Sequence, residues 1–442
     1  MTESVSLSPE GDERTRASRE RRVGESANTF RFWALVFWAV GIQTHELAST
    51  AAFALLVVSF FPTLAVKLQD GKLEAELKPW RPILAFIAWS LLAPTIAGQY
   101  PDWTGFARTM DWASIPLIAA AASTLTPRRW AILTVVAVGT LGLSSLVAGL
   151  QHFGIWPPLS AFDGLDWLRI PFARVYEQIG DSGRFMGGGL LFHRLKFGHV
   201  SGLIIVGAVV ASKHLTGAAR AAVIALGTFG FIAVWVFPYA RAGAVSMTIA
   251  VGLTVALVSA SPARALAVSA GLGLVGVIAV LSIAPLRARF ASALTDQGSG
   301  QRTQHMAAGV EAVRQHPFVG IGPGQFRPSK FSDPNMAEHV KDNPGKAHNQ
   351  YLSMATEIGI PGALGFISLL IWLALSARGR PYGAMTQGSI AFFALLSLAH
   401  DPLFQAPVSM AMMLAIGLGL GGEPVSPSPR GGEGRGEGKP TP

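Results

Sequence analysis

The feature that most constrains this chain is the return, again and again, of long apolar runs. From about residue 30 to residue 420, runs of roughly 15 to 25 residues alternate with short polar breaks, and about 20 apolar residues suffice to carry a helix across a bilayer. Backbone inside lipid must satisfy its own hydrogen bonds, which leaves helices and closed barrels. These runs are continuous and lack the alternation of barrel strands. Charged residues make up only 14% of the chain, against about a quarter in soluble domains. The expected fold class is all-α, a polytopic transmembrane helical bundle.

Twelve segments qualify as candidate spans: Phe30–Gln43, Leu47–Val66, Pro82–Gly98, Gly105–Thr124, Trp130–Leu150, Phe185–Ala211, Ala218–Phe237, Ala242–Val258, Ala263–Pro285, Tyr351–Ser376, Gly383–Ala399 and Ala406–Leu420. Basic residues gather in cytoplasmic loops. With the N-terminus inside, the inner segments hold Arg14 to Arg22, then Lys67, Lys72, Lys78 and Arg81. Arg128, Arg129, Lys213, Arg220, Arg264, Arg378 and Arg380 follow. The short outer loops Tyr100–Thr104 and His400–Gln405 carry no Lys or Arg. Both termini are therefore expected in the cytoplasm. Residues 1–29 and 421–442 are polar tails, expected to be disordered, and residues 1–28 do not resemble a cleavable signal peptide.

Two outer segments interrupt the rhythm. One is the medium loop Gln151–Arg184. The other is a long loop over residues 286–350, between the ninth and tenth spans, which divides an N-terminal bundle (30–285) from the last spans (351–420). It carries eight Lys and Arg against five Asp and Glu. Long loops often carry function, and a basic one on the outer face suits an anionic ligand. With no cysteine in the chain, disulfides and thiolate chemistry are excluded. The net charge of +9 fits the membrane topology and does not call for nucleic acid.

Chemistry-bearing residues cluster in and around the long loop. Ser299 reads as the N-cap of a helix that stops near His316-Pro317. On helical spacing Arg302 shares a face with Met306, Val310 and Val313, which would turn its guanidinium toward the protein. A guanidinium there can hold a diphosphate bidentately, or it is an ordinary surface arginine. The run Gly320-Ile321-Gly322-Pro323-Gly324 either brings backbone N–H groups to a phosphate or forms a tight loop beneath the bundle. His348 stands at the mouth of a span, before Asn349 as a possible N-cap, where an imidazole can act as a base near neutral pH or simply sit at the interface. Glu357, inside the span, is either functional or paired with an intramembrane arginine. Arg241 marks the outer edge of one span, and Arg184, His193 and His199 the outer start of another. Arg108 and Asp111 are helical neighbours and could pair. The histidines lack metal-ligand spacing, so neither metal nor other cofactor is expected.

Taken together, these motifs resemble a known family. Arg302 opening a helix, Gly320-x-Gly322-x-Gly324-x-Phe326, His348-Asn349-x-Tyr351-Leu352 and Glu357-x-Gly359-x-x-Gly362 look like the signature of O-antigen ligases and their polymerase relatives, and Tyr239-Ala240-Arg241-Ala242-Gly243 resembles that family's upstream arginine motif. The resemblance spans roughly residues 183–421. It implies glycan transfer on the periplasmic face of the bacterial inner membrane, from an undecaprenyl-diphosphate-linked donor to lipid A core or another glycan acceptor, without a metal and with inversion. Carried over residue by residue, it implies that His348 is the catalytic histidine, with Arg302 beside it, and that Arg241 and Arg302 bind the diphosphate. Glu357, Tyr351, Arg184, Gly322 and Gly324 are candidate supporting residues. The tract Phe192-His193-Arg194-Leu195-Lys196 departs from relatives, which often carry Asn or Pro there. Ligase, polymerase and protein O-glycosyltransferase share these motifs. A small-solute transporter is the rival of another class, but it should place its polar residues near the membrane midplane.

Overall fold

A computed structural model describes residues 9–422 apart from positions 70, 72, 159–160, 162–172, 174–177, 180–182, 192, 292–295 and 332–345. The extreme tails, Lys72, Phe192, His339 and much of both outer loops thus lie outside the described residues. The helices are α1 (Pro9–Thr44), α2 (Glu46–Gln69), α3 (Leu73–Leu77), α4 (Arg81–Ile96), α5 (Trp103–Met110), α6 (Ser114–Ala122), α7 (Pro127–His152), α8 (Arg194–Ala211), α9 (Gly217–Val236), α10 (Arg241–Val258), α11 (Pro262–Ser282), α12 (Ala284–Ala291), α13 (Asp296–Gln315), α14 (Gln350–Ser376), α15 (Gly383–Leu396) and α16 (Ala406–Leu420). There is no strand among the described residues. The chain is an all-helical membrane protein. Seven described helices are long and apolar enough to cross a bilayer (α2, α7 to α11 and α14), and α15 and α16 are shorter apolar helices. Each of the twelve candidate spans contains helix.

Three local expectations are corrected. The segment Phe185–Ala211 is not one helix, because α8 starts only at Arg194. Gly187, Gly188 and Gly189 precede it, and the Gln151 carboxamide oxygen accepts the N–H groups of Gly188 (2.8 Å) and Gly189 (2.9 Å). Those glycines are held to the end of α7 and cannot join a helix. The segment Gly105–Thr124 breaks at a tight turn over Asp111–Ala113. Pro116 lacks the N–H that would bond the Trp112 carbonyl, so the turn before it tightens. Finally, α13 begins at Asp296, so Ser299 lies inside it and not at its cap.

Helix α14 is the element that organises the loop. Asn349 caps it, its side chain accepting from Leu352 N at 3.0 Å, an arrangement worth about 1 kcal/mol. Gly359 then adopts φ 76° and ψ 171° inside the helix, with Pro361 two residues on. This kink strips backbone groups of helical partners, which in a membrane must find others. The loop after α13 supplies them. Ile321 N donates to Thr356 O (3.0 Å), Gly322 N to Glu357 O (2.9 Å), and Ile360 N to Pro317 O (2.8 Å). A Cβ on Gly359 would lie 2.2 Å from Phe318 O, so only glycine permits this approach. The loop has its own small core of Ala308, Ala312, Ile321, Phe326 and Ala347, separate from the main core of the bundle.

Candidate functional site

Three helices bring arginines to one end of the bundle. Arg194 is the first residue of α8 and Arg241 the first of α10. Arg302 lies in the second turn of α13. All three line one cavity of about 330 Å³, with Tyr239, Phe290 and His400 among its other walls. Among the described residues, no Asp or Glu lines it. The unpaired N–H groups at a helix start carry partial positive charge, and two such starts meet here. Burial lowers Arg302 from the usual guanidinium value, with the Asp401 carboxylate opposing the shift. Three cations lining one cavity favour an anion, and guanidinium forks match phosphate oxygens.

The sequence expectation for the face of Arg302 is corrected. Met306 and Val310 are exposed, at 39% and 42%. The buried stripe is His305, Ala308 and Ala312, with Gly309 against Ala347 and Leu352. Small side chains let α13 approach the start of α14 closely, and that contact outweighs burial of two larger residues that can face lipid or solvent.

His348 stands beside this cavity without lining it. Its backbone has φ 57°, a left-handed conformation that non-glycine residues adopt sparingly and that concentrates at functional sites. Its surroundings hold it there. Ala347 N donates to Ser353 Oγ (3.2 Å), Ser353 Oγ donates to Asp401 Oδ1 (2.5 Å), and the His348 backbone N–H faces the Asp401 carboxylate. Burial above all, then His305, Arg302 and Lys346, pulls the imidazole down to about 4. It is neutral near pH 7 and can accept a proton. The His305 ring lies at 4.9 Å, edge to face. Lys346 is itself lowered by burial, against the pull of Asp401. Burial pushes Asp401 up to about 6, while Ser353 and Lys346 resist.

A second cluster lies on the other side of α14. Glu357 is 1% exposed. Its Oε2 accepts from Arg108 at 2.5 Å and its Oε1 from Gly324 N at 2.9 Å. Arg108 also lies over the Phe404 ring, 3.7 Å from its centroid. Arg108 therefore pairs with Glu357, and the expected pairing with Asp111 is corrected: Asp111 instead accepts from Ser409 Oγ at 2.5 Å. The pair is favoured because both groups are buried and each would be costly alone. The N–H groups of Gly322 and Gly324 are both given to Glu357.

Of the remaining residues singled out from sequence, Tyr351 donates to Ala394 O at 3.0 Å and pins α14 to α15. Arg184 stacks on Phe153, 4.3 Å from the ring centroid. His193 caps α8 by accepting from Leu195 N; burial and the cations Arg194, Lys196 and Lys346 bring it down to about 4. His199 is fully buried, its ring 5.2 Å from that of His400. No group of three or more His, Cys, Asp or Glu able to hold a metal ion occurs among the described residues.

Residues 201–367 match the O-antigen ligase family. This segment is similar to the O-antigen ligase domain of that superfamily. No curated protein matches it. The matched segment contains Arg241, Arg302, the glycine loop, His348 and Glu357. Arg194, His400 and Asp401 lie outside it, and the motif reading missed them as site residues. The one sequence signal for His400 and Asp401 was their place in a short outer loop before the last apolar segment.

Proposed function

We propose that this protein moves a glycan from undecaprenyl diphosphate to an acceptor hydroxyl on the periplasmic face of the bacterial inner membrane, as an O-antigen ligase acting on lipid A core. The observation that carries this reading is the cavity in which Arg194, Arg241 and Arg302 converge on two helix starts. Three half-buried arginines lining one cavity at the edge of a membrane bundle suit an anionic ligand. Similarity to the O-antigen ligase domain supports a lipid-linked glycan as the donor.

In this mechanism Arg241 and Arg302 hold the diphosphate, and Arg194 adds a third cation. Neutral His348 takes the proton of the acceptor hydroxyl. The oxygen attacks the anomeric carbon as the bond to the diphosphate breaks, and the arginines stabilise the negative charge that grows on the leaving group. Direct displacement inverts the anomeric centre. No step draws on a metal or other cofactor. Glu357, Gly322, Gly324 and Tyr351 support the reaction by fixing the loop and α14, which set the positions of Arg302 and His348; Arg184 belongs to the rim near Tyr239.

The acceptor is tested by deleting the gene in its host and examining its glycans. Loss of long chains on the core, with lipid-linked polymer retained, is the expected result. Cores capped with a single repeat would instead make the protein a polymerase, and intact lipopolysaccharide with unglycosylated protein would make it a protein O-glycosyltransferase.

A further inference from the structure

The cavity holds a residue that the mechanism above does not use. His400 lines it between arginines, yet the residue is buried, only 6% exposed. Its backbone N–H is tied to Leu396 O. Its imidazole makes no hydrogen bond among the described residues; its one ring neighbour is His199, at 5.2 Å. A buried polar ring is expected to have a partner. Here its polar edge is offered to a cavity that could contain one.

We propose that His400 is a proton-linked binding residue for the donor: as the diphosphate enters, the imidazole takes a proton from solvent and donates it in a hydrogen bond to a phosphate oxygen. This rests on the reading that the cavity receives a diphosphate. The groups around His400 give the inference its direction. Arg302 faces it from α13, Arg194 and His199 from α8, and His348 from the segment before α14. Arg241 of α10 and Tyr239 share the cavity with it, and Asp401 follows it in the chain. Burial and this cationic company hold the empty ring neutral. Two phosphate charges placed among the same groups reverse the balance, because an anion at hydrogen-bond distance favours the protonated ring. By linkage, a proton taken up on binding makes binding tighter at lower pH. Each arginine stays charged throughout; Asp401 and His348 also titrate nearby, but neither lines the cavity. His400 is the histidine that lines the cavity.

The test is calorimetric titration of the full-length protein in detergent with a polyprenyl-diphosphate-linked monosaccharide. Both phosphates of that probe lose their protons well below the pH range used, so its own charge is constant. Wild type should bind up to about tenfold more tightly per pH unit between pH 8 and pH 6. Titration in buffers of different ionisation enthalpy should show proton uptake. His400→Gln should remove most of that pH dependence, whereas His348→Gln, which removes only the smaller uptake at that imidazole, should retain most of it. If His400→Gln does not fold, His400→Asn is titrated in its place, beside His348→Gln and Asp401→Asn. Absence of uptake, or a His400→Gln variant with an unchanged pH dependence, overturns this proposal and leaves the diphosphate reading standing. A wild type that does not bind the probe at either pH overturns the diphosphate reading as well.

Discussion

Two regions on either side of α14 use the same kinds of residue to opposite ends. Around Glu357, every charge is matched: Arg108 and Gly324 take the carboxylate, and the carbonyls bared by the Gly359 kink accept from the glycine loop. Around His348, cations and histidines converge beside a cavity lined by three arginines, and the backbone is held in a left-handed conformation. The first arrangement closes on itself in a buried ion pair; the second opens onto a cavity lined by three arginines. Both came from residues that looked alike in the sequence, a polar side chain at or inside a span. What separates them is whether the cation meets a buried carboxylate directly or lines a cavity.

This contrast sets the size of the expected effects. The largest belongs to the matched side. Glu357→Ala leaves Arg108 buried without its partner and should cost about 3–5 kcal/mol of stability, seen as a lower melting temperature in detergent and poor yield. If the variant melts like wild type, the pair is not holding the loop. On the unmatched side Arg302→Ala should leave melting nearly unchanged and reduce glycan transfer by about 10²–10³-fold, the range for losing one preorganised donor to developing charge. A large fall in melting temperature with that variant would mean that Arg302 belongs to the structural class and erase the distinction.

A third effect concerns protons. In the empty site, His348 is pulled down to about 4 by burial and by cations that include Arg302 and Lys346. A depressed imidazole stays neutral, and competent as a base, until the pH falls through that value. A bound diphosphate offsets those cations and raises it, since one charge at close range moves a pKa by about 1–3 units. The acid limb of kcat should therefore lie at higher pH than that of kcat/KM. Coincident limbs would mean that donor charge does not reach His348. The smallest effect is Tyr351→Phe, which removes one hydrogen bond to Ala394 O. It should cost about 1 kcal/mol of stability and leave the pH profile in place; a shifted profile would move Tyr351 into the chemistry.

The sequence was most informative where a single segment decides the outcome. Apolar runs became helices because burial in lipid leaves the backbone little choice. One exception, Phe185–Ala211, broke where Gly188 and Gly189 found a partner on α7 and Gly187 one at Phe237. Arg241 was legible as a cation at the outer edge of a span and Arg302 as one on a helix of the long loop. Arg194 and His400 were not, because each becomes part of the cavity only when the start of α8 meets the loop between α15 and α16. The buried face of α13 was misjudged for a related reason. Hydrophobic spacing favoured Met306 and Val310, but close packing against Ala347 and Leu352 selected the small residues.

The central claim is that His348 is the base of a metal-free glycan transfer, and reconstituted transfer from an undecaprenyl-diphosphate donor in the presence of EDTA tests it most directly. His348→Asn is the variant to compare, because asparagine tolerates a left-handed backbone and its effect reports on the imidazole and not on strain. The account predicts wild-type transfer that survives the chelator and collapses in the variant, which still binds the donor. Transfer by the variant at the wild-type rate, or wild-type transfer abolished by EDTA, would contradict it.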